Sequence, residues 1–306
     1  MASDYRKVEV MMATYNGAKY VGRQLDSILH QEGVEVHITV RDDGSSDNTM
    51  EVLRHYEESY PHRIKVYEGE NTGCTRCFLL LLDLAENADF YAFSDQDDIW
   101  DSNKLSVALS NICNRSRVLY TSNLRICSEE LEEMGRSSFS KEYLSIGSEF
   151  ARHRYAGCTY VFDKEMKDIV SCFSNLNLPA GRMPSHDSLI ARCAFACGDV
   201  LLDEESHISH IRYAGSVTAG GNGMVKRLKT EWKSFWSDSV ASTTAQLILD
   251  TLSDSIGDDK KCFIGRIASY KRSLKSWVGL LFAGDLDCGI PVCNMICRMK
   301  ILLRRY

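Results

Sequence analysis

The amino-acid sequence predicts an α/β fold: a mostly parallel sheet flanked by helices, followed by a helical C-terminal appendage. Three observations carry that prediction. Short apolar runs alternate with segments of helical spacing across short connections, the pattern of a parallel sheet covered on both faces. Several of those apolar runs stop abruptly at polar clusters. Beyond about Val225 the strand pattern ends and helical periodicity continues. A length of 306 residues suits one large α/β domain with an appendage. A boundary near Met224 divides the chain into 1–224 and 225–306.

Val8–Ala13 (VEVMMA) reads as a buried first strand. Thr14-Tyr15-Asn16-Gly17 is a turn whose small and amide side chains let a ligand approach closely. Tyr20, Val21, Gln24, Leu25, Ile28 and Leu29 recur at helical spacing, predicting a helix over about Ala18 to His30. Val36, Ile38 and Val40 alternate with His37 and Thr39 as a second strand, which runs into Arg41-Asp42-Asp43-Gly44-Ser45-Ser46-Asp47. Ser46 or Asp47 can cap the helix that follows through about Tyr56. Ile64–Tyr67 is a third strand, Asn71-Thr72-Gly73 a break, and Phe78–Ala85 helical. Phe90–Phe93 is the fourth strand, Lys104–Asn114 a helix and Val118–Ser122 the fifth strand. Asn123–Arg154 is polar and reads as a hairpin or an excursion. Tyr155–Phe162 returns to strand character, and His186-Asp187 opens an apolar helix over Ser188–Cys197. Val200–Leu202 and His207–Ile211 are short strands, and Ser216–Met224 is a Gly-rich stretch expected to be mobile.

Hydrophobic and charged fractions of 44% and 25% are those of a soluble globular protein. The formal charge of −6 argues against nucleic acid as the main partner. From Lys260 to Tyr306 ten Lys or Arg face two acids, Asp285 and Asp287, a net of +8 that leaves −14 on residues 1–259. Such a basic tail suits anionic lipid or a partner, with a solvated helical face as the alternative. Twelve cysteines lack regular spacing, and MASDYRKVEV has no signal-peptide core. No apolar run approaches the roughly 20 residues that span a bilayer. Reduced thiols in a cytosol are the expectation.

At the end of the fourth strand Asp95, Asp97 and Asp98 crowd together. Like charges a few ångströms apart raise one another's pKa unless a cation neutralises them. Carboxylate oxygens suit Mg²⁺ or Mn²⁺, which bind substrate phosphates as well. A solvated loop capping the next helix is the competing reading. Placement favours a metal–diphosphate site, because ligands of parallel sheets bind at strand carboxyl ends near a switch in strand order. The polar clusters after strands one, two and four all lie at such ends. No GxGxxG follows the first strand and there is no Walker lysine loop.

MATYNGAKYV (12–21), RDDGSSDNT (41–49), NTG (71–73), SDQDDIWDSNKL (94–105), AGCTYVFD (156–163) and HDSLIARCAFACGDVLLDE (186–204), in that order and spacing, resemble an inverting glycosyltransferase of the GT-A fold. The family is glycosyltransferase family 2, nearest its bacterial rhamnosyltransferase-like branch that builds surface polysaccharides. The resemblance covers about Val8 to Gly220. It implies a Rossmann-like sheet, Mg²⁺ or Mn²⁺, and a donor such as dTDP-rhamnose or a UDP-hexose. The acceptor would be a glycan hydroxyl, with a lipid-linked glycan among the candidates. By the same resemblance Ala13, Thr14, Tyr15 and Asn16 form the loop that meets the nucleotide. Asp43 accepts the pyrimidine N3–H, Arg76 approaches base or diphosphate, and Arg212 belongs to the donor side. Asp95 contacts ribose or the metal's water shell, and Asp97 ligates the metal. Asp187 matches the general base that removes the acceptor proton during inverting transfer. Asp42, Asp98, Trp100, His186 and His210 are supporting residues, and Lys104 is expected to pair with an acid. Turn chemistry at Thr14 and Asn16, a helix face at Arg76 and an N-cap at Asp187 are the local alternatives.

One departure stands out. The branch commonly reads Tyr-Arg-Gln-His-Gly where this chain reads Ile211-Arg212-Tyr213-Ala214-Gly215. Ala214 replaces the histidine near the metal, which leaves the third ligand open, with His207 and His210 close by in sequence. A catalytically impaired, nucleotide-sugar-binding partner subunit is therefore the alternative function. A nucleotidyltransferase is disfavoured by the missing Gly-rich triphosphate loop. Beyond the resemblance, Trp232, Phe235 and Trp236 beside Lys226, Arg227, Lys229 and Lys233 suit an interfacial helix. Peripheral contact at the inner face of the cell membrane is the corresponding expectation, with domain packing or a homodimer contact as the alternative.

Overall fold

A computed structural model describes residues 6–179, 181–213 and 239–306. The expected boundary at Met224, the Gly-rich stretch 216–224, Ala214 and the Trp232–Trp236 segment lie outside them. The chain forms two compact units. One comprises Met1–Phe139, Tyr155–Leu176 and Gly198–Arg212, the other Ser140–Arg154, Asn177–Cys197 and Tyr213–Tyr306.

The first unit is built on a nine-stranded sheet. Its strands are β1 (Lys7–Thr14), β2 (Glu35–Asp42), β3 (Ile64–Glu68), β4 (Phe90–Ser94), β5 (Ile99–Trp100), β6 (Val118–Cys127), β7 (Glu133–Arg136), β8 (Val161–Asp163) and β9 (Asp199–Ile211). The spatial order is β3-β2-β1-β4-β8-β6-β9-β5, with β7 on β6. The β3-β2-β1-β4 half is parallel. β8 joins β4 and β6 antiparallel, while β6 and β9 run parallel. Helices α1 (Val21–Leu29), α2 (Thr49–Ser59), α3 (Cys74–Leu84), α4 (Lys104–Ile112) and α6 (Lys164–Ser171) belong to this unit. Val8, Val10, Met11 and Met12 are fully buried, as are Ala92 and Phe93. That is why these strands read as continuous apolar runs rather than as alternation.

Two strand expectations changed. Tyr155–Phe162 is not one strand: Gly157–Thr159 forms a 3₁₀ turn before β8. The Thr159 hydroxyl donates to the Ala156 carbonyl at 2.7 Å, a local bond that competes with a strand ladder. The two short strands after Val200 are one, β9, whose pairing with β6 shifts register between Ser122 and Arg125. The polar stretch expected to be a hairpin or an excursion begins with the β6–β7 hairpin.

In the second unit, helices α5 (Ile146–Ala151), α7 (His186–Cys197), α8 (Ala241–Leu252), α9 (Asp258–Ser269), α10 (Leu274–Leu281) and α11 (Pro291–Leu302) surround a smaller core. Nearly every residue of α7 is buried, so its sequence shows little amphipathic alternation. Buried hydroxyls fasten the chain end: Tyr306 donates to the Phe150 carbonyl at 2.8 Å and Tyr270 to the Tyr306 carbonyl at 2.6 Å. Among the described residues no helix is long and apolar enough to cross a membrane. None of the twelve cysteines is in a disulfide.

Candidate active site

From β1 the chain builds outward to β2 and β3, then returns to lay β4 on the other side of β1. The order switches between β1 and β4, where a parallel sheet opens a crevice at its carboxyl ends. Loops 14–17 and 95–98 both emerge there. The backbone N–H of Tyr15 donates to Gln96 Oε1 at 2.9 Å, and Gln96 Nε2 donates back to the Tyr15 carbonyl at 3.0 Å. Gly17 permits that closeness, since a Cβ there would stand 2.1 Å from Gln96 Oε1. Ala13 is half-buried in β1, whereas Tyr15 and Asn16 are exposed on the loop. Asn16 adopts a left-handed φ of 48° and accepts from Ser46 N at 2.8 Å.

The two acids after β2 have different partners. Asp42, fully buried, accepts from Thr14 Oγ1 at 2.9 Å and from Ser45 N at 2.7 Å. It is a positioning residue that ties two loops together. Asp43 is held by Arg41, by Thr72 through its N–H at 3.0 Å and hydroxyl at 2.9 Å, and by Gly73 N at 2.7 Å. Burial opposes its charge, but these donors outweigh burial and hold its carboxyl below the usual carboxylate range. A nucleobase N3–H at Asp43 would therefore compete with the Thr72 and Gly73 contacts. Arg76, on α3, donates to the carbonyls of Ser174 (2.7 Å) and Leu176 (2.9 Å).

After β4, Asp95 and Asp97 are half-buried and Asp98 is buried. β5 and β9 pair Ile99 with Ser209 antiparallel, which brings His210 opposite Asp98. His210 Nδ1 and Asp98 Oδ1 lie 2.8 Å apart. Burial alone would lower the His210 pKa, but Asp98, Asp95 and Asp97 push it up to about 9. Cys158 completes a cluster in which ligand atoms of Asp98, Cys158 and His210 lie within 4.8 Å of one another. That mixed oxygen, sulfur and nitrogen set suits softer transition metals. The oxygen-only pair Asp95 and Asp97, whose negative field reaches His210, fits Mg²⁺ or Mn²⁺.

Behind the loop, buried Trp100 donates its indole N–H to the Gln24 amide oxygen at 3.1 Å when that amide is oriented to satisfy both groups. Among the described residues the expected pairing of Lys104 with an acid is not found. Its buried ammonium has no hydrogen-bond partner among those residues and lies 3.5 Å from the Trp100 ring centroid. Burial pulls its pKa down to about 7 against the pull of Cys158 and Asp98. Arg212 is half-buried at the end of β9, its N–H on the Cys127 carbonyl at 2.8 Å.

Asp187 belongs to the second unit, in the first turn of α7, where its Oδ1 accepts from Ser188 N at 2.8 Å. Its Oδ2 forms an ion pair with His153 Nε2 at 3.2 Å, and His153 Nδ1 lies 2.8 Å from Glu149 Oε1. Glu149, fully buried on α5, also faces Arg192 Nε at 3.5 Å. Burial disfavours the imidazolium, yet Glu149 and Asp187 overcome it and push His153 up to about 10. Burial would raise the Asp187 pKa, but His153 holds it far below the carboxylate range. His186, buried and beside the same charges, is pulled down to about 4 and is neutral at pH 7. Sequence reading missed His153 and Glu149. Their only local signal is the (i, i+4) spacing of a Glu and a His.

Residues 9–174 match the family model described as Glycosyl transferase family 2. A dTDP-rhamnosyl transferase (RfbG) of Shigella flexneri is 34% identical over 163 residues, 50% of this chain and 54% of that protein. A UDP-Glc:alpha-D-GlcNAc-diphosphoundecaprenol beta-1,3-glucosyltransferase (WfgD) of Escherichia coli is 34% identical over 104 residues, 34% of this chain and 40% of that one. The chain thus spans about half the length of relatives it matches. A crystal structure of S. aureus TarS 1–349 in complex with UDP-GlcNAc superposes with a TM-score of 0.55 at 17% identity, covering 91% of this chain and 77% of that one. At that identity the likeness concerns the fold.

Proposed function

The chain belongs to glycosyl transferase family 2, and from that premise we propose that it transfers a sugar from a nucleoside diphosphate donor to a glycan hydroxyl, inverting the anomeric centre. The observation that supports this best is the crowding of Asp95, Asp97 and Asp98 at the β1/β4 switch, beside the loop from Thr14 to Gly17. Ala13, Thr14, Tyr15 and Asn16 receive the nucleotide, and Asp43 accepts the base N3–H by exchanging a Thr72 or Gly73 contact. Arg212 and Arg76 supply positive charge on the donor side. Asp97, with Asp95, would hold Mg²⁺ or Mn²⁺, which when bound offsets charge on the departing diphosphate. Asp98, His210, Trp100 and Asp42 keep these loops in place. Asp187 takes the proton of the acceptor hydroxyl as it attacks, with His153 holding the carboxylate ionised and His186 packed neutral beside it.

The relatives' names favour dTDP-rhamnose as donor, then a UDP-hexose. The diphosphoundecaprenol in one of those names favours a lipid-linked acceptor and work at the inner membrane face. Ala214 favours a second reading, a nucleotide-sugar-binding partner subunit with impaired transfer. Calorimetric titration with dTDP and UDP, with and without Mn²⁺, tests both. Wild type should bind one nucleotide at least about tenfold more tightly with Mn²⁺, and Asp97→Ala should lose that gain together with about 10²–10³-fold of donor turnover. Absence of nucleotide binding under either condition sinks the proposal. Binding without transfer or donor hydrolysis selects the second reading.

A further inference from the structure

Among the described residues, nine of the thirteen exposed large apolar side chains fall between Leu274 and Leu303, in the second unit. They form stripes. Leu274, Val278 and Phe282 recur every four residues along α10 and its end, with Phe282 82% exposed. Val292, Met295 and Met299 follow at three and four along α11, continuing to Leu302. The opposite face of α11, Cys293, Cys297 and Ile301, is buried, so α11 carries two apolar faces and the fold covers one. Monomeric soluble proteins rarely expose contiguous apolar patches of this kind. α10 and α11 are braced together by the Trp277 indole N–H, which donates to the Ile301 carbonyl at 2.8 Å.

The charge beside these stripes narrows what covers them. Lys271, Arg272, Lys275 and Arg304 are exposed around them, against the two acids of the segment, Asp285 and Asp287. A second copy docked on the same face would set those cations against themselves. An anionic surface meets them favourably, at on the order of 1 kcal/mol per cationic side chain. Residues 260–306 carry a net +8 against −14 on residues 1–259, so the charge of this segment favours such a surface.

We propose that the exposed faces of α10 and α11 dock in the interfacial layer of an anionic phospholipid bilayer, with Leu274, Phe282, Met295 and Met299 entering the acyl boundary and Lys271, Arg272 and Lys275 on headgroups. Surface helices whose exposed apolar side chains are flanked by cations lie in that plane without spanning it. The inference builds on the membrane-side acceptor of the proposed function, but vesicle binding needs no donor or acceptor and fails or holds apart from transfer.

The test is sedimentation of the full chain with vesicles of phosphatidylglycerol and phosphatidylcholine in about equal parts, against pure phosphatidylcholine. The anionic vesicles should capture it at least about tenfold better, less so as salt rises. Phe282→Ser combined with Met295→Ser and Met299→Ser should abolish capture while leaving the melting temperature and donor hydrolysis unchanged, because these side chains already face solvent. Lys271→Glu with Lys275→Glu should remove the preference for anionic lipid. The inference is overturned if wild type ignores both vesicle types, or if the serine variant sediments like wild type. It is also overturned if wild type is a dimer in light scattering that the serine variant dissociates, without vesicle capture.

Discussion

The acids that follow β4 and the acid that opens α7 solve the same electrostatic problem in opposite ways. Asp95, Asp97 and Asp98 act together on one imidazole, His210, within their own unit, and raise its pKa to about 9. Asp187 and Glu149 meet His153 and Arg192, and that cluster is neutral. The first gathers carboxylate oxygens around one imidazole, ligands of the kind a divalent ion uses. The second carries its counter-charge already, because His153 beside Asp187 holds that carboxyl far below the usual carboxylate range. A metal-and-diphosphate role needs the first condition, and a base that is never protonated in advance needs the second. The difference also limits Asp187. A carboxylate held that far down is a weak base, and its usefulness rests on orientation.

Three substitutions sharpen or break this contrast. The largest effect is expected at Asp187→Asn, which should lower transfer by about 10²–10⁴-fold while nucleotide affinity is unchanged. Full activity in that variant would remove Asp187 from the mechanism. Next comes His153→Gln, which removes the cation between Asp187 and buried Glu149 and should cost about 3 kcal/mol of stability in denaturant titration. The Asp187 pKa should then rise, moving the acid limb of the transfer pH profile upward. An unmoved limb would mean that the ion pair is structural only.

The smallest effect is expected at Lys104→Met, neutral or stabilising at pH 7, because a buried ammonium without a hydrogen-bond partner is replaced by an apolar chain of similar shape. Its signature is in the pH dependence. His153, raised from 6.5 to about 10, contributes stability that is full below 6.5 and is lost as pH climbs through about 10. His210, raised to about 9, acts in the same direction. Lys104, lowered from 10.5 to about 7, acts oppositely: the unfolded chain binds its proton across that window, so stability rises with pH. Melting curves between pH 6.5 and 10.5 should therefore fall more steeply in Lys104→Met and less steeply in His153→Gln than in wild type. Parallel curves in all three would refute both assignments.

The sequence by itself determined the strand–helix alternation of the parallel half, because strands buried on both faces read as unbroken apolar runs and polar clusters mark their ends. It also determined where Asp95, Asp97 and Asp98 sit, since three neighbours on one turn need no partner from elsewhere to be recognised. Asp187 was legible only through resemblance, as its helix is buried nearly all round and has little amphipathic signal. What the tertiary structure decided is every partner far away in the chain. His210 reaches Asp98 across 112 residues because a two-residue strand, β5, pairs with β9, and nothing local announces so short a strand. His153 and Glu149 come from a polar stretch whose six-residue helix, α5, is too short to form without the packing around it. Lys104 read as an ion-pair partner from its charge alone. Burial against Trp100 is what makes it something else, and burial belongs to the fold.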